Sequence, residues 1–165
     1  MTVADIRDEF LRHRDLGRKA IDQVSDSGLN QVHGEHNSLA VNVRHLHGFL
    51  TARFTEFLTS DGDKPWRKRD EEFALSFYPR TEVVRLYEEG WRVAAATLAT
   101  LSDADLARQV SFRGQASGAG KSLLSLLTHV AYHTGQIVLL ARQHPEKIWA
   151  PLSTPAKPVK SAAQR

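Results

Sequence analysis

A chain of 165 residues, 41% apolar and 25% charged, suits one globular domain with a sizeable core. It has no cysteine, which excludes disulfides, thiolate ligands and a cysteine nucleophile, so any metal must be held by nitrogen and oxygen. The pI is near 9.4 but the net charge is only +3, and bases mostly alternate with acids, which argues against a nucleic-acid-binding face.

The N-terminus, Met1 to Phe10, mixes charges and lacks the apolar segment of a signal peptide. Arg, His or Gln interrupts every apolar run before it reaches the length of a membrane span, so no membrane association and a cytoplasmic location are expected. From about Val3 to Val24, Ile6, Phe10, Leu11, Leu16, Ile21 and Val24 recur among charges as the stripe of an amphipathic helix. Asp26-Ser-Gly28 breaks it. Asn37 and Ser38 offer caps for a second helix to about Thr59, striped by Leu39, Val43, Leu46, Leu50, Phe54 and Phe57. A polar connector follows, in which Lys64, Arg67, Lys68 and Arg69 are offset by Asp63, Asp70, Glu71 and Glu72; this reads as a solvated, salt-bridged surface.

The third helix spans about Thr81 to Leu101, with Val84, Leu86, Tyr87, Trp91, Ala94, Ala95 and Leu98 as its stripe. In the next connection Gln109-Val-Ser-Phe-Arg113 alternates as a short strand or one arm of a β-hairpin. Gly114 to Ser122 superficially resembles a phosphate-binding loop, but Gln115 stands where that loop needs glycine; it reads as a flexible connector capped by Ser122. The fourth helix covers about Lys121 to Gln143. The prediction is an all-α four-helix bundle over residues 1–148 with long connections, which need not run simply up-down-up-down. Residues 149–165 form an extended or partly disordered tail.

Within the fourth helix, His129 and His133 are four residues apart, just over one turn, and share a face with Leu126, Gln136, Ile137 and Leu140. A histidine on such a face is most simply a hydrogen-bonded core residue. Two buried imidazoles without partners cost about 1–3 kcal/mol each, however, and one metal ion would satisfy both lone pairs. A third ligand must come from elsewhere. On the second helix, His47 lies nearer the centre of the apolar stripe but has Arg44 and Thr51 beside it. His45 shares a polar row with Ser38, Asn42, Phe49 and Glu56 that adjoins the core face. Spacing leaves the two open. His13, His33, His36 and His144 fall near helix ends or in loops and read as surface residues.

The runs Asn37-Ser-Leu-Ala-Val-Asn-Val-Arg-His45-Leu-His-Gly48, Arg53-Phe-Thr-Glu-Phe-Leu58, Asp61-Gly-Asp-Lys-Pro-Trp-Arg67 and Arg69-Asp-Glu-Glu-Phe73 resemble a bacterial branch of the DinB/YfiT-like superfamily. His129-Val-Ala-Tyr-His133-Thr-Gly-Gln136 matches that superfamily's second histidine motif, and Trp149 to Pro155 resembles the end of the branch. The resemblance implies a DinB-like four-helix bundle with a divalent metal held by His45, His129 and His133. It also implies a homodimer. One departure is Phe49, where the family often has Asn, so a polar group beside the pocket is missing.

Three neutral imidazoles leave a coordination position open, as catalytic zinc-type sites do; affinity order favours nickel, copper or zinc, ligand type does not choose among them, and zinc or nickel is the expected ion. Val130 occupies the place where a His-Glu-x-x-His protease carries its catalytic glutamate, so no general base is evident. Asn42, Glu56, Tyr132 and Gln136 are candidates to support the ligands. Gly135 inside a helix costs about 1 kcal/mol against alanine; close helix packing or the floor of a pocket would explain it. The expected activity, by similarity to characterised members of the superfamily, is metal-dependent transfer of a low-molecular-weight thiol to a small-molecule substrate, or metal-assisted hydrolysis. A metal-stabilised, non-catalytic dimeric binding or stress-response protein is the other reading.

Overall fold

The computed structural model describes residues 1–32, 34 and 37–152. His33, His36 and the tail beyond Leu152 lie outside the described residues.

Thr2 opens α1 (Val3–Ile21) with a reciprocal cap: its hydroxyl accepts from the Asp5 N–H at 3.1 Å, and the Asp5 carboxylate accepts from the Thr2 N–H at 2.7 Å. Where a break was expected, a short helix α2 (Asp26–Asn30) begins, capped by Ser25. Ser38 caps α3 (Leu39–Phe54) by accepting from the Val41 N–H at 3.3 Å. This helix stops at Phe54 rather than Thr59, because Thr55 turns extended and Glu56 takes a positive φ of 51°. After Pro79, α4 (Arg80–Thr100) runs close to its predicted bounds. The last helix, α5 (Ala119–Gln143), begins before the predicted cap; Ser122 sits buried within its first turn.

Before α5 lies a full hairpin of β1 (Gln109–Phe112) and β2 (Gln115–Gly118). The stretch read as a flexible connector is therefore its turn, its second strand and the first residues of α5. Arg113 and Gly114 make the turn with φ of 51° and 71°, the paired positive values a two-residue hairpin loop needs. Asp61 anchors it, accepting from Ser111 Oγ at 2.5 Å and from the N–H groups of Arg113 and Gly114 at 2.9 Å each.

Around the bundle, α3 packs against α4 and α5, and α1 packs against α5 and α4. The chain thus crosses the bundle diagonally twice, from α1 to α3 and from α4 to α5, which the long connections permit. Phe10, Leu50, Phe54, Tyr87, Trp91 and Leu123 fill the shared core. By length and composition alone α5 could cross a membrane, which corrects the expectation that no run is long enough, although a helix in the core of a bundle has the same character. Here one side of it is packed into the bundle, while Leu124, Tyr132 and Leu139 stand exposed on the other. Residues 149–152 are tied to the bundle: Gln23 accepts from the Ala150 N–H at 2.7 Å, and Trp149 and Leu152 pack against the core.

Candidate metal centre

His45 on α3 and the pair His129 and His133 on α5 meet where these two helices face each other. One nitrogen from each ring lies within 4.8 Å of the other two. Nε2 of His45 is 3.3 Å from Nε2 of His129, and the three ring centroids are 4.5 to 5.5 Å apart. Zn–N bonds of about 2.0–2.1 Å with tetrahedral angles put two ligand nitrogens about 3.3 Å apart. The His45–His129 separation fits that spacing without rearrangement.

Two of the rings are also held as neutral lone-pair donors. Burial, reinforced by the neighbouring His133 and His45 and by Arg67 and Arg53, holds His129 down to about 4. Burial and then His45 hold His133 down to about 4, with Gln136 acting weakly the other way. Both are therefore unprotonated at neutral pH. His45 Nδ1 is 2.8 Å from Glu72 Oε2; the carboxylate can only accept, so Nδ1–H donates and Nε2 presents its lone pair to the cluster. Asn42 does similar work on His133. Its Nδ2 donates to the Ser38 carbonyl at 3.0 Å, which orients the amide so that Oδ1 faces His133 Nδ1 at 3.4 Å.

Two residues of the connector read as solvated are buried, Lys64 and Glu72, and Glu72 is the one at the site. Read as part of a solvated connector, it is buried under α3 on the 3₁₀ turn Arg69–Phe73. Arg67 grips it with two bonds, Nε to Oε1 at 2.7 Å and Nη2 to Oε2 at 2.8 Å. Burial alone would raise its pKa, but the hydrogen bonds from Arg67 and His45 outweigh that and hold it below the usual glutamate value. One signal could have found it. Gly48 sits inside α3, where glycine is costly, and a Cβ there would collide with the Glu72 carboxylate.

The remaining candidates fall in different places. His47 points to the other side of α3, with Nε2 3.7 Å from Glu89 Oε2 on α4, and is not part of the cluster. Glu56 is exposed beyond the end of α3, with Lys64 as its neighbour at 4.0 Å, so it cannot support the ligands. Tyr132 is exposed and meets His133 edge-on at 5.0 Å. Gln136 follows His133 by one turn, with Oε1 buried and lacking a hydrogen-bond partner among the described residues. Gly135 is exposed and a Cβ there would meet nothing within 4 Å, so neither close packing nor a pocket floor explains it. His13 and His144 are half-buried rather than freely exposed.

Phe49, the departure from the family pattern, stacks on His129 with ring centroids 4.0 Å apart. Beside it a pocket of about 350 Å³ opens onto His45 and His129, and Asp63 is the one acid on its wall among the described residues. The arrangement is three nitrogen donors, one of them braced by a buried carboxylate, with His45 and His129 on the wall of an open cavity. Such a donor set could hold a divalent transition metal and leave room for a further ligand.

Residues 2–158 match the family described as "Protein of unknown function (DUF1572)". No curated protein matches. Among solved structures, the crystal structure of a DinB-like protein from Bacillus cereus ATCC 10987 aligns with a TM-score of 0.66 and 18% identity, covering 86% of this chain and 92% of that one. The likeness at this identity concerns the fold.

Proposed function

Given that the chain belongs to the DUF1572 family and has a DinB-like fold, we propose that it is a metal-dependent enzyme transferring a small thiol, or water, to an electrophilic substrate. The observation that carries this reading is the three-histidine cluster, two of whose rings, His45 and His129, line a pocket. A structural site closes its coordination with protein ligands, whereas this donor set leaves space on one side.

His45, His129 and His133 would hold the ion, with zinc or nickel suited to all-imidazole ligation. A divalent ion there supplies Lewis acidity, lowering the pKa of a thiol or water and polarising an electrophile. Glu72 fixes the His45 tautomer and strengthens that ring as a donor. Asn42 fixes His133 in the same sense. Phe49 covers one face of His129 and keeps that side of the pocket apolar. Asp63 lies on the pocket wall, where Arg113 pairs with it at 3.1 Å.

The test is elemental analysis together with thiol conjugation by the zinc- or nickel-loaded protein, using small thiols and a chromogenic electrophile. One ion per chain and turnover that is lost with His129→Ala are expected. Turnover surviving His129→Ala defeats the reading. Stoichiometric metal that raises thermal stability without any turnover would leave the non-catalytic, metal-stabilised protein in its place.

A further inference from the structure

Along one face of α3, His45, Phe49 and Arg53 follow at intervals of four residues, so a candidate metal ligand, an aromatic ring and a guanidinium form a ladder. Eight residues of helix separate the ends by about 12 Å. All three border the pocket that opens onto His129. Its other walls include Phe112 from the hairpin and Leu126 from α5.

The arginines around this pocket differ in one respect. Arg67 is committed to Glu72 through two hydrogen bonds. Arg113 is paired with Asp63 at 3.1 Å. Arg69 lies 3.7 Å from Asp70 and is largely exposed. Arg53 has no hydrogen bond and no ion pair among the described residues, and its Nη1 is buried against the Gly62 turn without an acceptor. Asp61, the nearby acid whose field most favours Arg53, is instead occupied by Ser111 and by the backbone N–H groups of Asp63, Arg113 and Gly114. What Arg53 does have is the Phe112 ring, 3.8 Å from its guanidinium carbon. A π-face attracts a cation but accepts none of the in-plane N–H bonds that a guanidinium offers. A half-buried arginine stays charged, and leaving that charge unanswered is costly.

We infer that the pocket binds a small organic carboxylate, whose anionic end is read by Arg53 and whose apolar body lies against Phe49, Phe112 and Leu126. The inference rests on the proposed function, in that the far end of such a molecule reaches His45 and His129 of the three-histidine cluster. A single uncompensated cation matches a monoanion, because Arg67 and Arg113 already have carboxylate partners. The planar fork of arginine suits a planar carboxylate. The substrate class is therefore an acid with an apolar or aromatic body and an electrophilic or hydrolysable group several bonds from its carboxylate.

Chelator-treated, metal-free full-length protein separates this from the metal reading. It is titrated with 3-phenylpropanoate and, in parallel, with the uncharged 3-phenylpropanamide, by calorimetry and by ¹⁵N-resolved NMR of the arginine Nε–H signals. The acid should bind at least tenfold more tightly than the amide and should shift the Arg53 Nε–H signal. Arg53→Gln should weaken the acid at least tenfold, Arg53→Lys should weaken it less, and neither should change amide binding. Equal affinity for acid and amide, undiminished acid binding in Arg53→Gln, or an unmoved Arg53 signal at saturation overturns the inference. The NMR arm uses only the wild-type chain, so it decides the matter even if Arg53→Gln does not fold. Absence of metal binding or turnover would defeat the proposed function and leave these readouts unchanged.

Discussion

Glu72→Gln isolates the contribution of the buried carboxylate, because it keeps the side-chain volume and one acceptor while removing the charge. The Glu72 and Arg67 side chains are only 9% and 11% exposed, and His45 is 5% exposed, so solvent screens these contacts little. Breaking a buried ion pair by removing one partner costs about 3–5 kcal/mol, since the remaining charge stays buried. Glutamine still accepts one bond from Arg67, which places the expected loss of metal-free stability near 2–3 kcal/mol, as order of magnitude. On the metal side, the Nδ1–H of His45 loses a charge-assisted acceptor, and replacing such a supporting group lowers metal affinity about 10- to 100-fold. The two effects are read separately: urea denaturation of metal-free protein for the first, competition with a chromophoric zinc chelator for the second. A variant with lowered metal-free stability but a zinc affinity within threefold of wild type would refute the second step, showing that Glu72 serves Arg67 alone. Unchanged metal-free stability would refute the buried-pair argument.

Three more expectations follow from the same geometry. Gly48→Ala places a Cβ against the Glu72 carboxyl carbon at 2.6 Å; Glu72 cannot swing away without leaving His45 and Arg67, so zinc affinity should fall about 10-fold or more in the chelator assay, and wild-type affinity would refute the contact. Gly135→Ala adds a Cβ into open space and should raise stability by about 0.5–1 kcal/mol in urea denaturation; a destabilised variant would show that this face is covered. His129 and His133 are held at about 4 in the folded protein against an ordinary 6.5, so between those values the unfolded chain binds more protons. Metal-free stability should therefore fall as pH drops from about 6.5 towards 4, and a flat profile across that window refutes neutral burial of the rings.

The sequence by itself determined the elements that depend on local periodicity. Apolar stripes of period 3.6 defined α1, α3, α4 and α5 within a few residues, because each helix must bury one face and wet the other. The four-residue spacing put His129 and His133 on one side of one helix for the same reason. The Ser38 cap is likewise local. Where tertiary contacts decide, local pattern had no purchase. His45 and His47 are two residues apart and so face nearly opposite directions on α3; which of them meets α5 depends on how that helix is rotated in the bundle, and the structure turns His45 to α5 and His47 to α4. The end of α3 came earlier than its stripe suggested because Phe57 reaches the core from outside the helix.

Glu72 is the clearest case. In sequence it is one acid in a run of charges, indistinguishable from the exposed Asp70 and Glu71 beside it. Burial follows only when the 3₁₀ turn docks against Gly48 and Arg67 folds back over it. Arg53 shows the converse: an ordinary charge in sequence, and an unpaired one only once the hairpin has engaged Asp61 elsewhere. Periodicity fixes which side of a helix is dry, whereas the partner of a charge, and hence its role at the site, is fixed by segments brought together from distant parts of the chain.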